Sequence, residues 1–152
     1  MPLPHNAEVL VIDGRKLLFL RNHGDAQQID LRHESHQERD DLKDREIKSD
    51  AAGAGNNSSG VGRSAFDEID FHEQDEARFA HDAADTLKQK TLAGDHHPLA
   101  IIAAPRTLGE LRAKLHKEVE KRVIVSIPKD MTNRTIPDIE KLLEGHGVSN
   151  AG

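Results

Sequence analysis

The sequence predicts an α/β fold, a mixed and open five-stranded sheet with helices on both faces. Three observations predict it. Short apolar runs of strand length are interleaved, in the second half, with segments of helical periodicity. An Asp-Gly turn separates the first two runs and makes them antiparallel neighbours. The runs "LAIIAAP" and "RVIVSIP" are continuous rather than alternating, as strands covered on both faces are.

The elements follow in order. "AEVLVID" (7–13) is a first strand, and Asp13-Gly14 a hairpin turn whose residues tolerate positive φ. "RKLLFLRN" (15–22) returns as a second strand, apolar on both faces in its middle and therefore central. After a turn at His23-Gly24-Asp25, "QQIDLRHES" (27–35) alternates. Ile29, Leu31 and His33 share one side, which suits a half-exposed edge strand. From about Gln37 to Ala65 the pattern stops. "ERDDLKDREIKSD" is mixed charge and "AAGAGNNSSGVG" small and polar, the composition of a long flexible insertion.

Periodicity resumes at 67–94. Phe79, Ala83 and Leu87, with Ala80 and Ala84, form one apolar helical stripe. Asp67, Glu68, Asp70 and Glu73 crowd the start, Lys88 and Lys90 the end, as the helix dipole favours, and Gly94 stops it. A buried fourth strand spans 99–105. Thr107-Leu108-Gly109-Glu110 has capping-box spacing and opens a second helix through "LRAKLHKEVEK", with a bend near His116. A fifth strand (122–128) precedes a last helix in "TIPDIEKLLEGHG", capped by Thr135, with Pro137 in its first turn and Gly145 at its end. The order β-β-β-α-β-α-β-α, with right-handed crossovers, gives a ribonuclease H-like sheet of spatial order 3-2-1-4-5, strand 2 antiparallel.

Composition limits what such a domain does. The 152 residues suit one domain over 1–152 with a usable core; they are 36% hydrophobic and 32% charged. No apolar run approaches the roughly 20 residues that span a bilayer, and no signal core is visible, so the expected location is the cytoplasm. With no cysteine there is neither a disulfide framework nor thiol chemistry. A net charge of −6 argues against broad nucleic-acid binding but leaves room for a local basic patch. Of ten histidines, His33 and His36 lie three apart on a strand and should face opposite sides, His96 and His97 are adjacent, and His72 and His81 are nine apart. None of these pairs makes a metal face, and no metal or cofactor is expected.

In the 3-2-1-4-5 order, strands 1, 4 and 5 run parallel, and a ligand crevice opens at their C-terminal ends. That edge gathers Asp13, Arg106, Thr107, Lys129 and Asp130, beside three helix N-termini that favour a small anion or phosphate. In the plain structural alternative, Thr107 and Glu110 cap a helix, Arg106 pairs with Asp13 or Asp130, and nothing binds. A two-metal nuclease needs converging carboxylates. Asp13, Asp70 and the more distant Asp130 are conceivable ligands, but the end of strand 4 reads Ala103-Ala104-Pro105, where that chemistry wants an acid.

The segments "LVIDGRKLLFLRN", "RFAHDAADTL", "PRTLGELR" and "KDMTNRTIPDIEKLL", in order and over nearly the whole chain, resemble the bacterial host attachment protein family, whose members are described as required for attachment to host cells. That family is related in turn to the middle domain of archaeal and eukaryotic peptide-chain release factors. The resemblance implies the same fold and a Gly-Gly-Gln loop that positions water for peptidyl-tRNA hydrolysis. Here the matching region reads "GVGRSA" (60–65), with Arg63 roughly where the glutamine would stand. Three functions are therefore carried forward. The first is a non-enzymatic cytosolic interaction protein, associated with the ribosome or RNA and contacting its partner through Asp13, Arg63, Arg106, Thr107, Lys129 and Asp130. The second is a hydrolase of peptidyl-tRNA or a phosphoester. The third is adhesion after non-standard export.

Overall fold

The computed structural model describes residues 3–38 and 65–145, the side chains of 65–74 excepted. Five strands form one sheet of order β3-β2-β1-β4-β5. They are β1 (Glu8–Ile12), β2 (Lys16–Asn22), β3 (Leu31–Glu38), β4 (Leu99–Ala103) and β5 (Val123–Pro128). β2 is antiparallel to β1 and β3, and β4 is parallel to β1 and β5, as the sequence predicts. The helices are α1 (Ala65–Leu92), α2 (Pro105–Lys114), the single turn α3 (Lys117–Glu120) and α4 (Ile136–Gly145).

Strand periodicity distributes the core onto two faces. Leu10 and Ile12 of β1, Leu17 and Phe19 of β2, and Leu99 and Ile101 of β4 meet Phe79, Ala83 and Leu87 of α1 and Leu108 and Leu111 of α2. The alternate residues Val9, Val11, Leu20, Ala100 and Ile102 meet Ile139 and Leu143 of α4. Each such large side chain, fully buried, contributes about 1.5–3 kcal/mol. β1 and β4 are buried at every position because both faces are covered, which is why their sequences do not alternate.

Several local expectations are corrected. The Asp13-Gly14 turn does form, but without positive φ. Asp13 Oδ1 accepts from the amides of Arg15 and Lys16, both at 2.8 Å, and this side-chain bracket makes the turn. β3 begins four residues later than expected and includes Gln37 and Glu38, which pair with Leu17 and Lys16. Residues 27–30 are loop, because Asp25 accepts from the amides of Gln27 and Gln28, and Asn22 from those of Gly24 and Asp30. The same amides hold the Asp25 carboxyl below its usual range. A Cβ on Gly24 would lie 2.0 Å from the Gln28 carbonyl oxygen, so only glycine fits there. Gly94 does end α1, at φ +119°, donating to the Thr91 carbonyl at 3.0 Å.

The capping box does not form. α2 starts three residues earlier, with Ala104 as its N-cap and Pro105 in its first turn. Proline at the first helical position removes one of the amides that a helix start leaves unpaired and has the helical φ already, so it sets the start of the helix without a side-chain cap. Thr107 is consequently an interior, buried residue. The bend near His116 is a full break. Leu115 is extended, and His116 caps α3 by accepting from the Glu118 amide at 3.0 Å. Thr135 caps α4 as expected, accepting from Asp138 N at 3.2 Å.

At the N-terminal ends of the parallel strands lies an ion-pair network that the sequence reading missed. Glu8 continues the inward row of Leu10 and Ile12 and is fully buried. Its Oε1 accepts from Arg122 Nη2 at 2.8 Å, and its Oε2 pairs with Lys90 Nζ. Arg122, also buried, donates from Nε to the His97 carbonyl at 2.7 Å and from Nη1 to Thr91 Oγ1 at 2.9 Å. Arg21 bridges Asp95 (3.0 Å) and Glu34 (3.0 Å). Lys90 also sits 3.8 Å from the Phe19 ring centroid. Burial alone would raise the Asp95 carboxyl, but hydrogen bonds from Arg21 and His97 and the Arg122 charge outweigh it. They hold Asp95 well below the carboxylate range.

Three outcomes test this network. Glu8→Ala, which strands a buried guanidinium, should cost about 3–5 kcal/mol by urea denaturation. The Glu8→Met/Arg122→Met double variant should be destabilised by less than the sum of its singles, by roughly 0.5–3 kcal/mol. Because the Asp95 pKa is depressed on folding, its stabilisation is complete above about pH 5 and is lost as pH falls toward the folded value. Asp95→Asn should therefore lower stability at pH 7 and flatten the fall between about pH 5 and pH 2.

Candidate functional site

The opposite end of the sheet, where β1, β4 and β5 terminate, holds the residues singled out by sequence. It is built on backbone continuity. The Ala104 amide donates to the Ile12 carbonyl at 3.2 Å, so the end of β1 is joined to the start of α2. Across β1, the loop after β5 is tied down by side chains. Thr132, 4% exposed, directs its hydroxyl to Asp13 Oδ2 at 2.6 Å, and Asp130 Oδ1 lies 3.1 Å from the same oxygen. A hydroxyl carries one proton, and the shorter contact takes it. Asp130 is also reached by the Thr132 amide at 3.4 Å. Lys16 Nζ donates to Asn133 Oδ1 at 2.9 Å and closes a second link between the β-hairpin and this loop.

The structure thus brings Asp13 and Asp130 to one hydroxyl, 119 and two residues away in sequence respectively. Thr132 joins them and was not singled out by sequence. The signal was available, since a threonine two residues past an Asp in "KDMT" is set to form a local side-chain turn. Arg106 does not pair with Asp13 or Asp130. It stands 58% exposed in the first turn of α2, with Nε 4.0 Å from Glu110 Oε1 one turn on. Thr107 is buried under α2 and presents nothing to the edge. Arg63, and with it the insertion beyond Glu38, lies outside the described residues, as does the side chain of Asp70.

Lys129 is exposed and faces away from Asp13, toward α4. There it lines a shallow depression of about 490 Å³ together with Arg134 and Lys141. Asp130 and Asp138 share the wall, and Met131 and Leu142 form the floor. Three cations against two carboxylates leave this rim positive in a chain of net charge −6. Among the described residues no three histidines or acids are grouped to hold a metal ion, and no helix is long and apolar enough to cross a membrane.

The carboxylate of Asp13 is therefore fully engaged, by two backbone amides and one hydroxyl. It holds the edge in shape. Thr132→Val removes a bond to an ionised partner and should cost about 1.5–3 kcal/mol. A double-mutant cycle with Asp13→Asn, measured by thermal or urea unfolding, should show coupling between the two sites.

The chain matches the model of the bacterial archaeo-eukaryotic release factor family 12 over residues 6–143. That span runs from just before β1 to the last turn of α4 and includes every strand. The release-factor side of the resemblance is borne out; the matching description carries no mention of host attachment. A search of curated proteins found no match. The chain belongs to the bacterial archaeo-eukaryotic release factor family 12.

Proposed function

We propose that this chain is a cytosolic, non-enzymatic interaction protein that docks on structured RNA of the translation apparatus, ribosomal or transfer RNA, at the C-terminal edge of its sheet. The observation that carries the reading is the cationic rim of Lys129, Arg134 and Lys141 beside that edge. Phosphate recognition needs a local positive field rather than a positive chain. Membership of a release-factor family supplies the translation context.

The hydrolase alternative draws less support. The position matching the glutamine of the release-factor loop holds Arg63. The best placed carboxylate, Asp13, is bound by its own turn and by Thr132 rather than directed outward as a base. Attachment to host cells has no counterpart in the site's chemistry.

The test is co-sedimentation with ribosomes and filter binding to bulk tRNA across a range of salt. Wild-type chain should bind at low salt and dissociate as salt rises. Each of Lys129→Ala, Arg134→Ala and Lys141→Ala should weaken binding on all sequences and reduce the slope of log K against log salt by about 1. Absence of binding to either RNA at low salt, or binding indifferent to all three substitutions, would overturn the reading.

A further inference from the structure

The bulge in β3 changes the chemistry of its histidines. Phe19 pairs with Ser35 but Leu20 with His33, so Glu34 is an extra residue opposite β2. In a regular strand, residues three apart face opposite sides. The inserted residue cancels that alternation and turns His33 and His36 to the same side. Their ring nitrogens, His33 Nε2 and His36 Nδ1, stand 3.1 Å apart, with ring centroids at 5.1 Å and planes tilted by 45°. Both side chains are exposed. The expectation that these two residues diverge is therefore wrong, and the bulge is the reason.

We propose that His33 and His36 form a two-histidine chelate for a divalent transition ion of the zinc, copper or nickel class. Two imidazole lone pairs 3.1 Å apart repel unless something positive lies between them, either a shared proton or a metal. A metal at about 2.0–2.1 Å from each nitrogen holds the pair about 3.4 Å apart in tetrahedral geometry and about 2.9 Å apart at a right angle. The observed spacing falls between these values, so the ion displaces the proton with movements of a few tenths of an ångström. Pre-organisation favours it as well. His33 and His36 sit opposite Leu20 and Leu18 in a paired stretch, so the backbone is already ordered before the ion arrives.

The donor set selects the metal. Neutral imidazole suits zinc, copper and nickel, whereas magnesium and calcium require oxygen. Among the described residues no third histidine or acid joins the pair, so the remaining coordination positions are open to water or to a further donor. The ion is consequently exchangeable, and an open site of this kind accepts an additional donor. The inference is independent of the RNA reading, since none of the rim cations belongs to it.

Calorimetric titration of the full-length chain with Zn²⁺, and separately with Ni²⁺, tests it. Wild-type protein should take up a single ion per chain at neutral pH, with excess Mg²⁺ not competing. His33→Ala and His36→Ala should each weaken uptake at least tenfold, and both are exposed positions whose loss leaves the fold intact by circular dichroism. His96→Ala/His97→Ala should bind as wild type. No saturable uptake by wild type, or uptake unchanged in the two single variants, would overturn the proposal.

Discussion

The buried carboxylate of Glu8 is the constraint on which the rest of this fold depends. It occupies the first inward position of the central strand, where Leu10 and Ile12 follow it into the core. An unpaired carboxylate there would cost several kcal/mol in lost hydration. The chain satisfies it with groups from three distant places, Lys90 at the end of α1, Arg122 at the start of β5 and, at 3.8 Å, Arg21 of β2. Only one arrangement of the sheet brings all three to the same point. A slip of β1 by one residue would turn Glu8 to the other face, away from every partner. Hydrophobic burial supplies most of the stability. The ion pairs add little net energy over an apolar replacement, but they penalise every other register.

The two ends of the parallel strands are consequently unlike. At the N-terminal end three acids (Glu8, Glu34, Asp95) meet three bases (Arg21, Lys90, Arg122), and every one is engaged with another. At the C-terminal end the acids are used internally, Asp13 in its own turn and on Thr132, while Lys129, Arg134 and Lys141 line an open depression. The polarity of the molecule follows from where its charges are spent. A chain with an overall negative charge keeps a positive rim because three cations outnumber the two carboxylates in its wall.

How much of this was legible in the sequence depends on the range of the interaction. Strand order and the two-layer core could be read, because continuous apolar runs, the Asp-Gly turn and the Phe79–Leu87 stripe are local patterns with few topological solutions. Helix ends were partly legible. Thr135 and Gly94 acted as their types predict, but at α2 the proline at 105 took precedence over the capping box that begins two residues later. Glu8 was visible as a charge in an apolar strand, yet its partners lie 82 and 114 residues away, and no periodicity connects them. The β3 bulge is set by pairing with β2, so counting along β3 alone put His33 and His36 on the wrong sides. Arg63 was chosen by resemblance alone.

The same distinction bears on how the C-terminal edge would recognise the RNA proposed to dock there. Three cations release only a few counterions on binding phosphate, which gives a weak and salt-sensitive attraction. Two carboxylates in the same wall reduce it further. Charge of this size steers and orients but does not hold a polyanion by itself. Affinity must come from fit, and the edge is built to keep its shape. The Asp13–Thr132 bond and the Lys16–Asn133 bond lock the loop after β5 to the hairpin on the far side of β1. A rigid rim of modest charge discriminates between folded RNA surfaces and extended ones, because only a folded surface presents several phosphates at the fixed spacing the rim offers. On this reasoning the acidic balance of the chain works in favour of recognition, since it suppresses binding to every nucleic acid that lacks the matching shape.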